Sequence, residues 1–132
     1  KQNFLMKEAI KKQFSDFKNE ECGIIYFDKK VKLKKCENIA SRRFENFEIS
    51  IKDYLDLKKE FQIFGLYHSH IEFDESFSSK DVIHSEELMV PYFVYSFKTK
   101  KSNLYIPKSL NLKKATKSLC NFLKRIRKEY GV

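Results

Sequence analysis

The sequence predicts a mixed α/β domain of the α+β type, with a central mixed β-sheet flanked by helices and residues 1–132 forming one unit. Three observations predict it. Helix-period apolar stripes and short β-rich runs follow one another in the order helix, strands, helix, strand, helix, strands, helix. The 132 residues are 42% hydrophobic with thirteen Phe and seven Tyr, an aromatic-rich supply for one core. Three Gly and two Pro leave little material for a flexible linker.

The elements can be taken in order. Residues 3–18 place Leu5, Met6, Ala9, Ile10, Phe14 and Phe17 at three-and-four spacing, the stripe of an amphipathic helix with Lys7, Lys11 and Lys12 turned outward. Residues 22–27, Cys-Gly-Ile-Ile-Tyr-Phe, form a continuous apolar run that suits a buried strand. After the turn-like Asp28-Lys29-Lys30, residues 31–36 alternate as a strand with one wet face. A third strand is expected over residues 44–49. Ser50 and Asp53 make a Ser-x-x-Asp cap for a short helix whose apolar side is Ile51, Tyr54, Leu55 and Leu57.

A strand resumes at Phe61 and carries Tyr67-His68-Ser69-His70. Residues 78–88 read as a helix, 92–97 as an aromatic strand, and 103–106 as its hairpin partner. Leu112, Ala115, Leu119, Phe122, Leu123 and Ile126 define the core face of a closing helix. Its other face is Lys113, Lys114, Lys117, Lys124, Arg125 and Lys128.

Composition narrows the setting. No apolar run approaches the ~20 residues of a membrane span, and no signal-peptide pattern opens the chain, so a cytoplasmic protein with no membrane partner is expected. The opening residue is Lys rather than Met, so a few native N-terminal residues are expected to precede it. Cys22, Cys36 and Cys120 lack paired finger spacing and read as reduced thiols. The net charge of +9 is unevenly placed: from Lys98 onward there are 11 Lys+Arg and one acid, Glu129. That surplus suits an acidic partner such as nucleic acid, or simply a solvated helix face.

Two of the three histidines, His68 and His70, stand one residue apart on a strand. Side chains at i and i+2 share a face, so both imidazoles can address one ion. Asp81, on the first turn of the next helix, is the best third ligand, although Ser78-x-x-Asp81 is also a helix capping box. A hydrolytic site further needs a proton carrier, and Glu20, Glu21, Glu72, Asp74 and Glu75 are all candidates. Spacing does not choose among them.

Glu20-Glu21-Cys22-Gly23-Ile24, then Gly65-Leu66-Tyr67-His68-Ser69-His70, seven residues, and Ser78-Ser79-Lys80-Asp81 resemble the JAMM (JAB/MPN-plus) metalloprotease motif at every motif position. The resemblance implies a cytidine-deaminase-like JAB/MPN architecture. It also implies zinc held by His68, His70 and Asp81, with Glu20 as general acid/base and Ser78 steadying the oxyanion. Further similarity, through Cys36 to Ala40, Phe47-Glu48-Ile49, Val90-Pro91-Tyr92-Phe93 and Tyr105-x-Pro107, is to the JAB domain of phage tail-tip assembly proteins, for which a virion-associated location would be expected. Ile71 departs from the proline that the family commonly has after the second histidine, which bears on loop geometry.

The function that follows is a zinc-dependent peptidase or isopeptidase acting on a peptide or protein substrate: a ubiquitin-like tail, a tail protein or a cell-wall peptide. The alternatives are a tail-assembly module with a slow or idle zinc site, and a nucleic-acid-binding relative that uses the basic closing helix. Phe73 and Phe77, between the ligands, could line a groove or anchor the loop.

Overall fold

A computed structural model describes residues 5–132. Five strands form one mixed sheet and four helices flank it, in the order α1 (Met6–Lys11), β1 (Cys22–Asp28), β2 (Lys30–Cys36), α2 (Ile51–Glu60), β3 (Gln62–His70), α3 (Ser79–Leu88), β4 (Tyr92–Ser96), β5 (Ser102–Tyr105) and α4 (Lys117–Tyr130). The sheet order is β2-β1-β3-β4-β5. β3 runs antiparallel to β1 and parallel to β4, and the β3-to-β4 crossover contains α3. The predicted α+β class with a central mixed sheet is the observed one.

β3 is the spine of the sheet. From Ile63 to His70 every residue is buried, because both faces of this strand are covered. On one face α1, the segment just after it and α4 bring Met6, Ile10, Phe14, Leu119, Phe122, Leu123 and Ile126 against Phe64, Tyr67, Phe93 and Tyr95. On the other, Tyr54 of α2 packs with Ile24, Ile63, Leu66 and Tyr92. The period-2 alternation of β3 therefore sorts Tyr67 and Ser69 to the α1/α4 side, and Leu66, His68 and His70 to the α2/α3 side. β2, at the sheet edge, is rich in lysine, which disfavours further strand pairing.

Several elements differ from the sequence reading. The opening helix spans Met6–Lys11 rather than 3–18, and residues 3 and 4 of that prediction lie outside the described residues. It stops because the Glu21 carboxylate collects the N–H groups of Ser15 (2.7 Å) and Asp16 (2.8 Å) and turns the chain toward β1. Phe17 is consequently 70% exposed rather than core.

Residues 44–49 are not a strand, because the backbone partners a strand would use are taken by a side chain. Asn38 Nδ2 donates to Asn46 O (2.9 Å) and its Oδ1 accepts from Glu48 N (3.1 Å). Ser50 does cap α2, accepting from Asp53 N, but only Tyr54 of the predicted apolar side is fully buried, with Ile51 and Leu55 exposed. The closing helix begins at Lys117 because Thr116 caps it, its Oγ1 accepting from Leu119 N (3.1 Å). Leu112 thus falls outside the helix and is 53% exposed.

Candidate metal centre

The site lies where the C-terminal end of β3, the first turn of α3 and the segment before β1 meet. In the antiparallel pairing of β1 with β3, Cys22 stands opposite His68. Continuing that register by two residues places Glu20 opposite His70, and cross-strand partners share a face. Ser69, fully buried on the other face of β3, ties the two strands: Glu21 N donates to Ser69 Oγ (2.9 Å) and Ser69 N to Glu21 O (3.0 Å). The serine between the histidines thereby fixes the approach of the glutamate segment, a role no spacing rule signals.

Glu20, His68 and His70 are all buried, and their ligand atoms lie within 4.8 Å of one another. The Nε2 atoms of His68 and His70 are 3.2 Å apart. Asp81 Oδ2 is 3.4 Å from His68 Nε2 and 3.9 Å from His70 Nε2. Donors about 2.0–2.1 Å from a tetrahedral ion stand about 3.3 Å from each other. Two imidazoles and a carboxylate at these separations fit a divalent metal, and both Glu20 and Asp81 stand close enough to the histidines to supply the carboxylate.

The surroundings tune each group. His70 Nδ1 contacts the carbonyl of Asp74 at 2.6 Å. Burial and the neighbouring His68 pull the His70 pKa below its ordinary value, favouring the neutral ring that a metal needs. His68 is stacked under Phe47, with centroids 4.3 Å apart, and its Nδ1 is buried without a partner among the described residues. Phe47 reaches this position from the irregular segment that replaces the expected third strand.

Asp81 and Glu20 are driven in opposite directions. Burial by itself would raise the Asp81 carboxyl, but the hydrogen bond and charge of His68, the Ser78 N–H and His70 outweigh it and hold the group at about 2. The capping box is complete: Ser78 Oγ accepts from Asp81 N (3.1 Å), and Asp81 Oδ2 accepts from Ser78 N (3.3 Å). Glu20, 3% exposed, is raised to about 8 by burial, then by the carboxylates of Asp81 and Glu45.

The other acids proposed from spacing are placed elsewhere. Glu21 is consumed by Ser15, Asp16 and an ion pair with Lys35. Glu72 is exposed, Asp74 turns its carboxylate to Ser76 N, and Glu75 accepts from Thr99. Phe73 is half-exposed and lines the cleft, whereas Phe77 lines it and also packs on Tyr105. The cleft above the site is about 450 Å³, with Lys80 and His84 of α3 and Glu45 on its rim.

The family model for prokaryotic homologues of the JAB domain matches residues 4–110. The chain belongs to that family. The matched JAB region contains the whole cluster of Glu20, His68, His70, Ser78 and Asp81, and ends before α4. This JAB domain is also similar to the solution structure of protein DSY2949 from Desulfitobacterium hafniense, with a TM-score of 0.56 and 21% identity over 75% of each chain. At that identity the likeness speaks to the fold alone. The comparison of this chain with curated proteins found no match. No helix among its described residues is long and apolar enough to cross a membrane.

Proposed function

We propose that this JAB domain is a zinc-dependent peptidase or isopeptidase. The observation that carries the proposal is one cleft in which the Nε2 atoms of His68 and His70 converge to 3.2 Å beside two carboxylates in unlike surroundings, Asp81 bonded within the α3 cap and Glu20 buried, which favours the anion on the first and the proton on the second. Environments that push paired acids apart are how a site separates a permanent anion from a proton carrier.

His68, His70 and Asp81 are assigned to hold the ion. Zinc there would supply Lewis acidity toward a carbonyl and lower the pKa of a water. Glu20 takes a proton and returns it to the departing amine, since a carboxyl balanced near neutrality can do both. Ser78, exposed in the cleft wall, accepts from Asp81 N with its oxygen and has its own O–H to donate toward the charge developing on the carbonyl oxygen. Phe47 shields His68 from water.

The test is cleavage of peptide and isopeptide substrates with and without a chelator, using Glu20→Gln beside the parent chain. Metal content is expected to survive that substitution while turnover falls ~10²–10⁴-fold. An unaffected rate would refute the assignment of Glu20.

A second reading, nucleic-acid binding by α4 together with Lys113 and Lys114, which precede the helix rather than belong to it, also has an observation behind it. Glu129, the one acid after Lys98, gives its carboxylate to the N–H groups of Met6 (2.8 Å) and Lys7 (2.7 Å), so the acid of this basic segment is turned toward α1. DNA retention that weakens steeply with salt, and is lost when Lys113, Lys114, Lys117 and Lys124 are neutralised, would support it. No retarded DNA at low salt would remove it.

A further inference from the structure

The loop that joins the histidine strand to the aspartate helix, residues 71–77, contains neither Pro nor Gly and has Ile71 at its start. Nothing in its backbone chemistry stiffens it. It is nevertheless fastened by three hydrogen bonds from the β4–β5 hairpin, at Phe73 and at Glu75. Ser96 Oγ donates to Phe73 O (2.6 Å), Thr99 Oγ1 donates to Glu75 Oε1 (2.7 Å), and Asn103 Nδ2 donates to Glu75 O (3.0 Å). Between those anchors lies Asp74, whose carbonyl meets His70 Nδ1.

A carbonyl oxygen can only accept, so this contact requires the His70 proton on Nδ1 and leaves the Nε2 lone pair for an ion. Ser96 is fully buried, and its hydroxyl is used twice, donating to Phe73 O and accepting from Thr99 N (3.2 Å). Ser96 also stands opposite His70 in the β3–β4 register, and Phe97 N donates to His70 O (2.9 Å). The hairpin therefore grips the histidine's own backbone and the loop that orients its ring.

We infer that Ser96, Thr99 and Asn103 are positioning residues for the metal centre, holding loop 71–77 so that the Asp74 carbonyl fixes the tautomer and direction of His70. The inference rests on the metal reading above. It assigns a task to residues that lie outside the motif and touch neither metal nor substrate. Loss of such an outer hydrogen bond lowers metal affinity by ~10–100-fold in comparable sites.

The experiment has two readouts. Cobalt(II) is titrated, by its visible absorption, into the parent chain and into Ser96→Ala, Thr99→Val, Thr99→Ser and Asn103→Ala. Long-range nitrogen–proton spectra of the metal-free proteins report the His70 tautomer. Glu129→Gln serves as a control that loosens the α1–α4 contact and removes no hydrogen bond to the loop.

Thr99→Val combined with Asn103→Ala is expected to weaken cobalt binding ~10–100-fold and to mix the His70 tautomers. Thr99→Ser keeps the hydroxyl and should stay within about threefold of the parent. If Ser96→Ala does not fold, that pair of surface-side variants still decides the matter. Cobalt affinity and tautomer unchanged in the double variant, or lowered equally in Glu129→Gln, would overturn the inference while leaving the metal reading intact. A parent chain that takes up no cobalt would overturn both.

Discussion

Asn38 holds the backbone of Glu20: its Nδ2 donates to the Glu20 carbonyl at 2.8 Å, across 18 residues of chain. The same side chain donates to Asn46 O and accepts from Ala40 N (3.0 Å) and Glu48 N, so its amide is fully used. One buried residue thus connects the glutamate to the segment that carries Phe47 over His68. Asn38→Ala should cost ~2–4 kcal/mol, since a typical bond contributes about 1 kcal/mol and the orphaned groups add their desolvation cost. Asn38→Asp is expected to be no better, because a carboxylate cannot donate to two carbonyls. Urea unfolding measures both, and a loss under about 0.5 kcal/mol for either would contradict the bonding.

The raised pKa of Glu20 makes metal-free stability depend on pH. Its folded value of about 8 exceeds the ordinary 4.5, so the folded state holds the proton more tightly than the unfolded chain. That contribution is fully present below about 4.5 and is lost as pH rises through about 8. At about 1.4 kcal/mol per pH unit it amounts to at most about 5 kcal/mol. Melting curves of the metal-free parent and Glu20→Gln should therefore converge at low pH and separate at high pH, with the variant the more stable. Parallel pH profiles would mean that Glu20 titrates normally.

Asp81→Asn separates the two tasks of that residue. The amide oxygen can still accept from Ser78 N, so the helix cap survives, but the anion beside the histidines is gone. Cobalt(II) affinity should fall by ~100-fold or more while Tm of the metal-free protein changes by only a few degrees. Retained affinity would show that Asp81 is a cap and nothing else.

Gly23 faces the ring of Tyr67 across β1 and β3, and a Cβ built there would sit 2.1 Å from the tyrosine ring and hydroxyl. Tyr67 is fully buried. Gly23→Ala should cost ~1–3 kcal/mol and displace the Tyr67 hydroxyl from Gln13, to which it donates at 3.3 Å. Thermal unfolding checks the first effect. A Tm equal to the parent's would show that the ring yields cheaply.

Glu129 caps a helix that is not its own. α1 has no side-chain cap from Leu5, and the Glu129 carboxylate supplies one by accepting from Met6 N and Lys7 N. Glu129→Gln should lower stability by ~1 kcal/mol and leave metal affinity alone.

The sequence by itself determined the local features. An i, i+2 pair of histidines must share a strand face, and Ser50 and Ser78 cap the helices they precede because a side-chain oxygen there meets N–H groups only three residues away. The alternating and apolar runs gave β1 to β5, and the motif spacing marked His68, His70 and Asp81. Tertiary structure decided what depends on partners far along the chain. It buried Glu20 and committed Glu21 to Ser15, Asp16 and Lys35, a distinction between adjacent glutamates that follows from the β1–β3 register. It also dissolved the strand expected over 44–49, since Asn38 offers those backbone groups their bonds first, and it left Leu112 outside a helix that Thr116 begins. Such outcomes are competitions between hydrogen-bond partners brought together only when the sheet has formed, and no window of neighbouring residues contains both competitors.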